Sequence, residues 1–181
     1  MLFRSGKNIA PFRICDISKI VSSVFQNPEN QFFTADVLSD LVYACENYGI
    51  PKQEIEQRMR DIVSLLSLNN IIERKLSDLS GGEKQKIAIA SILMLKTDIL
   101  LLDEPSSNLD YQSIILLSEV FEKLKASGYT IIVIEHRLFY IKNLCDRLIV
   151  MEHGKISGVY EKSELKTMSN DMLVADRKSV V

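Results

Sequence analysis

The apolar pattern of this chain predicts an α/β fold, a mainly parallel sheet with a helical region inserted before Ser80. The runs at 99–102 and 131–134 are short and continuously apolar, as strands of a parallel sheet covered on both faces must be. Between them lies a helix-length stretch with apolar residues at helical spacing, the order strand, helix, strand that a parallel pair needs. The 181 residues, 46% of them hydrophobic, suffice to bury such a core without disulfide staples.

The elements follow in order. A strand at 20–25 runs into the polar stretch 26–31. Thr34 is placed to cap the next helix, whose apolar residues Val37, Leu38, Leu41, Val42 and Cys45 keep helical spacing until Gly49 and Pro51 end it. A second helix repeats apolar residues at Ile55, Met59, Ile62 and Leu66, with Lys and Glu on a solvated face. After Ser80-Gly81-Gly82 comes a helix, apolar on most sides over 87–95 and hence largely buried. Strand 99–102, helix 113–126 with Ile114, Leu117, Phe121 and Leu124 inward, and strand 130–134 follow. A short helix at 138–144 leads to a strand at 148–151, a turn at 152–155 and a return strand to Tyr160. Residues 1–165 thus form one domain, with its helical subdomain at about 34–80, and 166–181 form a tail.

Several classes of function are disfavoured. A formal net charge of -2 gives no basic field of the kind that holds nucleic acid. The longest apolar runs are strand-sized, far short of the roughly 20 residues of a membrane span. The first eleven residues lack the apolar core of a secretory leader, so the expected location is cytoplasmic. Cys15, Cys45 and Cys145 are isolated within apolar patterns and read as buried free thiols.

Chemistry enters at Asp103-Glu104-Pro105. Two carboxylates immediately follow a buried parallel strand, at the carboxyl edge where open α/β sheets bind ligands. Asp103 could hold Mg²⁺ through water, since that ion usually takes only one or two carboxylates. Glu104 could orient or deprotonate an attacking water. On these residues alone, two solvated charges ending a strand explain the pattern equally well. Ser80 reads as a helix N-cap, and Gly81 and Gly82 let backbone N–H groups face a phosphate at the positive end of that helix.

The stretch LSGGEKQKIAIA, residues 79–90, resembles the signature motif of ATP-binding-cassette ATPases. Asp103-Glu104-Pro105 and Ser107-Asn108-Leu109-Asp110 resemble the Walker B motif and D-loop of that family. Gln26 resembles its Q-loop glutamine and His136 its switch histidine, although singly they would pass for a loop hydrogen-bonder and a surface imidazole. The run 24–32, Val-Phe-Gln-Asn-Pro-Glu-Asn-Gln-Phe, and the segment 46–51 are similar to those of energy-coupling factor and cobalt-type importers.

The resemblance covers residues 6–165 and implies an ABC-type ATPase with a partial P-loop NTPase fold. It implies ATP and Mg²⁺ as ligands, with Glu104, His136 and Gln26 catalytic, and Asp103 and Gln26 at the metal. Ser80, Gly81, Gly82 and Asp110 are implied to bind the nucleotide. The partners implied are a second ABC ATPase subunit or domain, a transmembrane coupling protein and a substrate-binding membrane subunit, with the ATPase peripheral on the inner face of the membrane. The imported solute would be a vitamin or metal ion, chosen by the membrane subunit.

The phosphate-binding loop G-x-x-x-x-G-K-[ST] is not found at any of the seven glycines. Gly6-Lys7-Asn8 lies too close to the N-terminus and to Gln26, and resembles the turn and strand that follow that loop's helix in relatives. The expectation is that the chain begins after the first strand, phosphate loop and helix, and does not hydrolyse ATP alone. The alternative is a non-catalytic partner that donates Ser80 and Gly82 to ATP held by another subunit.

Overall fold

The computed structural model describes residues 3–4, 7–8 and 12–165; the tail at 166–181 and Gly6 lie outside the described residues. A minimal antiparallel pair, β1 (Phe3–Arg4) and β2 (Lys7–Asn8), precedes the short helix α1 (Ile14–Ile17). The centre is a parallel sheet of β3 (Val21–Val24), β4 (Ile99–Asp103) and β5 (Thr130–Ile134), in that spatial order. Val24 stands opposite Leu102, and Leu102 opposite Val133.

One face of this sheet is closed over β3 and β4, while Ile131 and Val133 of β5 on the same face are half-buried. Val24, Leu100 and Leu102 are fully buried in the main core. The opposite face, with Ile99, Leu101, Ile132 and Ile134, is only half-buried, so the expected two-sided cover holds for one side. Among the described residues the outer edge of β5 has no partner strand. The hairpin of β6 (Arg147–Glu152) and β7 (Lys155–Glu161) forms a separate antiparallel sheet. A cleft of about 510 Å³, lined by Ile131, Val133, Leu138, Leu144, Leu148 and Leu165, lies between β5 and β6. The predicted turn is tight because His153 and Gly154 both take positive φ, 48° and 75°, the pattern that matches strand twist in a two-residue hairpin.

The helical subdomain consists of α2 (Val37–Asn47) and α3 (Lys52–Leu66), packed on α4 (Gly81–Leu93). Asp36 rather than Thr34 caps α2: its Oδ1 accepts from the Ser39 amide at 2.8 Å, while Thr34 Oγ1 donates to the Asp36 carbonyl at 2.9 Å. The reason is the buried Asp40, whose Oδ1 takes the amides of Phe33 and Thr34 at 2.8 and 3.3 Å and so holds Thr34 ahead of the first turn. Three helices converge on one atom, for the Met94 carbonyl ending α4 accepts from Arg58 Nη1 at 2.6 Å and from Cys45 Sγ at 3.3 Å.

After β4, α5 (Tyr111–Ala126) turns inward the four residues expected, Ile114, Leu117, Phe121 and Leu124. The expected helix at 138–144 is instead a 3₁₀ turn, Leu138–Tyr140, followed by successive turns to Cys145. A last short helix, α6 (Lys162–Leu165), follows β7. Cys45 is buried and Cys145 only half-buried, and burial pushes both thiols up from their ordinary pKa. Cys15 falls in α1, with its side chain outside the described set.

Candidate active site

Because β3, β4 and β5 are parallel neighbours, their carboxyl ends share one edge, and the segments leaving them are forced together. Gln26 leaves β3, Glu104 leaves β4 and His136 leaves β5. Gln26 Nε2 donates to Glu104 Oε2 at 2.7 Å, and His136 Nδ1 lies 3.9 Å from Glu104 Oε1. Three residues expected to share a site, separated by 78 and 32 positions in sequence, therefore meet around one carboxylate.

Glu104 has φ of 42°, a left-handed backbone that costs a side-chain-bearing residue about 1–3 kcal/mol. Its N–H donates to the Ile134 carbonyl at 2.8 Å, so the end of β5 holds the strained residue in place. Asp103, the last residue of β4, is exposed beside it. The Gln26 carbonyl also accepts from Ser107 Oγ, at 3.5 Å.

The residues expected at the phosphate show a second arrangement. Ser80 caps α4 in a capping box: Ser80 Oγ accepts from the Glu83 amide at 3.3 Å, and Glu83 Oε2 accepts from the Ser80 amide at 2.8 Å. That backbone amide, with help from the Ser80 hydroxyl and Arg74, holds the Glu83 carboxyl below its ordinary pKa. The positive end of α4 thus carries an anion from its own first turn. Gly82 has a packing reason to be glycine, since a Cβ there would lie 2.6 Å from Ser113 Oγ on α5. Gly81 lines a cleft of about 430 Å³ together with Gln26, Asn108 and Leu109.

Asp110 caps α5 by accepting from the Ser113 amide at 2.8 Å, and that bond lowers its pKa. Ser80 and Asp110 bond within their own capping turns, and among the described residues neither is hydrogen-bonded to Glu104. Sequence reasoning missed Glu135. Its side chain is completely buried at the turn out of β5, where it accepts from two backbone amides and two hydroxyls. A legible signal existed, an acidic residue directly continuing an apolar strand.

The described residues contain no cluster of three or more His, Cys, Asp and Glu able to enclose a metal. Asp103, Glu104 and the Gln26 side-chain oxygen are the hard oxygen donors that Mg²⁺ accepts when it retains several waters. The Gln26 amide nitrogen is committed to Glu104, so the oxygen is the atom it has to offer a cation.

A sheet with its titratable groups at the carboxyl edge, flanked by a capped Ser-Gly-Gly helix, defines a nucleotide-type α/β domain. The ABC transporter family model matches residues 2–107, and the chain belongs to that family. A Treponema denticola protein named as an ABC transporter ATP-binding protein is 63% identical over 167 residues, 92% of this chain and 34% of that one. An energy-coupling factor transporter ATP-binding protein of Streptococcus mutans is 34% identical over 169 residues, 93% of this chain and 60% of that one. The solved structure of cbiO1 from Clostridium perfringens, part of the ABC transporter complex cbiONQ, superposes with a TM-score of 0.80 at 29% identity, over 91% of this chain and 66% of that one. The chain spans about a third of the length of the curated Treponema relatives it matches. Among the described residues no helix is long and apolar enough to cross a membrane.

Proposed function

We propose that this chain is part of the ATP-binding component of an energy-coupling factor type importer, in which ATP hydrolysis drives uptake of a vitamin or metal ion. The observation that carries the reading is the meeting of Gln26 and His136 on Glu104 at the ends of three adjacent strands. Glu104 takes the proton of the attacking water, and the Gln26 amide holds one carboxylate oxygen so that the other stays available. His136, 47% exposed at its side chain, contacts the terminal phosphate. Asp103 and the Gln26 oxygen are the residues suited to Mg²⁺, which neutralises phosphate charge when bound.

Ser80, Gly81, Gly82 and Asp110 face the nucleotide of a second ABC ATPase subunit or domain, where Glu83 must yield the helix terminus to phosphate. The import reading is supported by the Streptococcus mutans relative and the cbiO1 neighbour. A transmembrane coupling protein, itself bound to a substrate-binding membrane subunit, docks beside the segment after Gln26. There Phe33, 72% exposed, stacks on Tyr43 with ring centroids 4.9 Å apart. The ATPase then sits peripherally on the inner face of the membrane.

These 181 residues do not hold ATP by themselves, since no G-x-x-x-x-G-K-[ST] segment is among them. A second reading, a partner that only donates the signature segment, is favoured by the same feature. Calorimetric titration of the chain with MgATP is expected to show no binding, and magnesium-dependent micromolar binding would overturn this reading of the phosphate site. With a phosphate-loop segment joined ahead of residue 1, Glu104→Gln is expected to bind ATP but release no phosphate. Undiminished turnover in that variant would remove Glu104 from the mechanism, and absence of binding in the joined protein would favour the donating partner.

A further inference from the structure

We infer that Glu135 is the positioning residue for His136, holding the imidazole with Nδ1 inward and Nε2 as the nitrogen presented to a ligand. The carboxylate cannot turn. Its Oε2 accepts from Ser106 Oγ at 2.6 Å and from Tyr140 OH at 2.8 Å, and its Oε1 accepts from the amides of His136 and Arg137 at 2.9 and 3.0 Å. His136 Nδ1 lies 3.4 Å from that same Oε1 and 3.9 Å from Glu104 Oε1. The same ring nitrogen faces two carboxylates, which selects the tautomer with its proton on Nδ1.

A residue serving packing alone would gain nothing from a carboxylate here, because a fully buried charge is costly unless every oxygen is satisfied. The satisfying groups come from two different segments. Ser106 belongs to the segment that follows Glu104, and Arg137 Nη1 ties back to the Ser106 carbonyl at 3.2 Å. Burial and the neighbouring Glu135 push the Tyr140 phenol far above its ordinary pKa, which keeps it a donor to the carboxylate. Glu135 therefore fixes the ring relative to the Glu104 segment as well as to its own strand. What the presented Nε2 touches rests on the nucleotide reading above; the orientation of the ring does not.

The chain has only two histidines, and His153 lies exposed in the β6–β7 turn, a built-in reference. Imidazole nitrogen shifts of the 181-residue chain, recorded at a pH where both rings are neutral, read the tautomers directly. His136 is expected to favour the Nδ1–H form by about tenfold, as a charge-assisted contact provides, while His153 shows the averaged mixture of a free ring. Glu135→Ala is expected to move His136 to the His153 pattern, and Glu135→Gln, which retains an acceptor oxygen, to keep a bias. A His136 already averaged in the wild-type chain would overturn the proposal whether or not the Ala variant folds. So would an unchanged Nδ1–H bias in a folded Ala variant. Neither result depends on ATP, so failure here is distinct from failure of the nucleotide reading.

Discussion

Replacing Gly82 with alanine tests whether this glycine serves the contact between α4 and α5. The added Cβ would sit 2.6 Å from Ser113 Oγ and 2.9 Å from Ser113 Cβ. The hydroxyl can rotate away, but the Cβ cannot move unless the first turn of α5 moves, and that turn is tied down by the bond from the Ser113 amide to Asp110. Overpacking of this kind costs about 1–3 kcal/mol. Alanine returns about 0.5–1 kcal/mol over glycine within a helix. The expected net loss is about 1–2 kcal/mol, read as a lower urea midpoint for the 181-residue chain. Gly81→Ala is the control, for its Cβ would meet Asn108 O at 3.5 Å and Leu109 Cδ2 at 3.7 Å, ordinary contacts, so its midpoint should hold or rise. Adding Ser113→Ala to Gly82→Ala should restore only part of the loss, because the Cβ contact remains. Equal midpoints for the two glycine variants would refute the packing argument.

Arg58→Met keeps the aliphatic stem but strips the charged donor from the Met94 carbonyl, and should lower stability by about 2 kcal/mol, read from urea unfolding. A midpoint within error of the wild type would show that the carbonyl is satisfied without it. Acid should weaken the fold through groups whose folded pKa values are depressed: Asp36 by the Ser39 amide, Glu83 by the Ser80 amide, and Asp146 by Lys125. Their contribution is complete above the unfolded carboxylate range near pH 4 and is lost as pH falls through the lower folded values, so the urea midpoint should be flat from about pH 7 to 5 and fall below about pH 4. Joining an apolar strand, loop and helix ahead of residue 1 should raise the melting temperature by about 10 °C or more, because β5 and the 510 Å³ cleft offer unfilled apolar surface and each kcal/mol is worth roughly 2–4 °C at this size. An unchanged melting temperature would show that the cleft is not where such a segment packs.

What was legible in the sequence was mostly periodicity and order. Strands 99–102 and 130–134 were readable because their apolar runs are continuous, and α3 because its apolar residues recur on one face. The cap of α2 was misread because Thr34 and Asp36 are both capping types, and the bonds from Asp40 that hold Thr34 ahead of the first turn show only in the structure. The segment 138–144 carries helical spacing, yet its chain breaks into turns, with Tyr140 committed to Glu135. Gln26, Glu104 and His136 could be named from resemblance, but their meeting follows from the strand order β3-β4-β5, which no local pattern encodes. Glu135 escaped because its one local signal, an acidic residue continuing an apolar strand, does not say that the carboxylate is buried; that follows from partners as far as 29 residues away.

The segment after Gln26 links the two halves of the molecule in a way that bears on coupling. Gln31 bridges them, accepting from the Phe25 amide at 3.2 Å and donating to the Ala88 carbonyl of α4 at 3.2 Å. Glu29 pairs with Lys84, and Asp40 of α2 holds the amides of Phe33 and Thr34. At its other end the segment reaches the strained Glu104 through the 2.7 Å bond from Gln26. Residues 26–33 are thus hydrogen-bonded to α2 and α4 on one side and to the Glu104 carboxylate on the other. The bond holding the Glu104 carboxylate is a side-chain contact at an exposed edge, of a kind that yields more readily than a packed parallel ladder. The orientation of the Glu104 carboxylate is therefore tied, through Gln26 and Gln31, to the position of α4 as well as to its own strand.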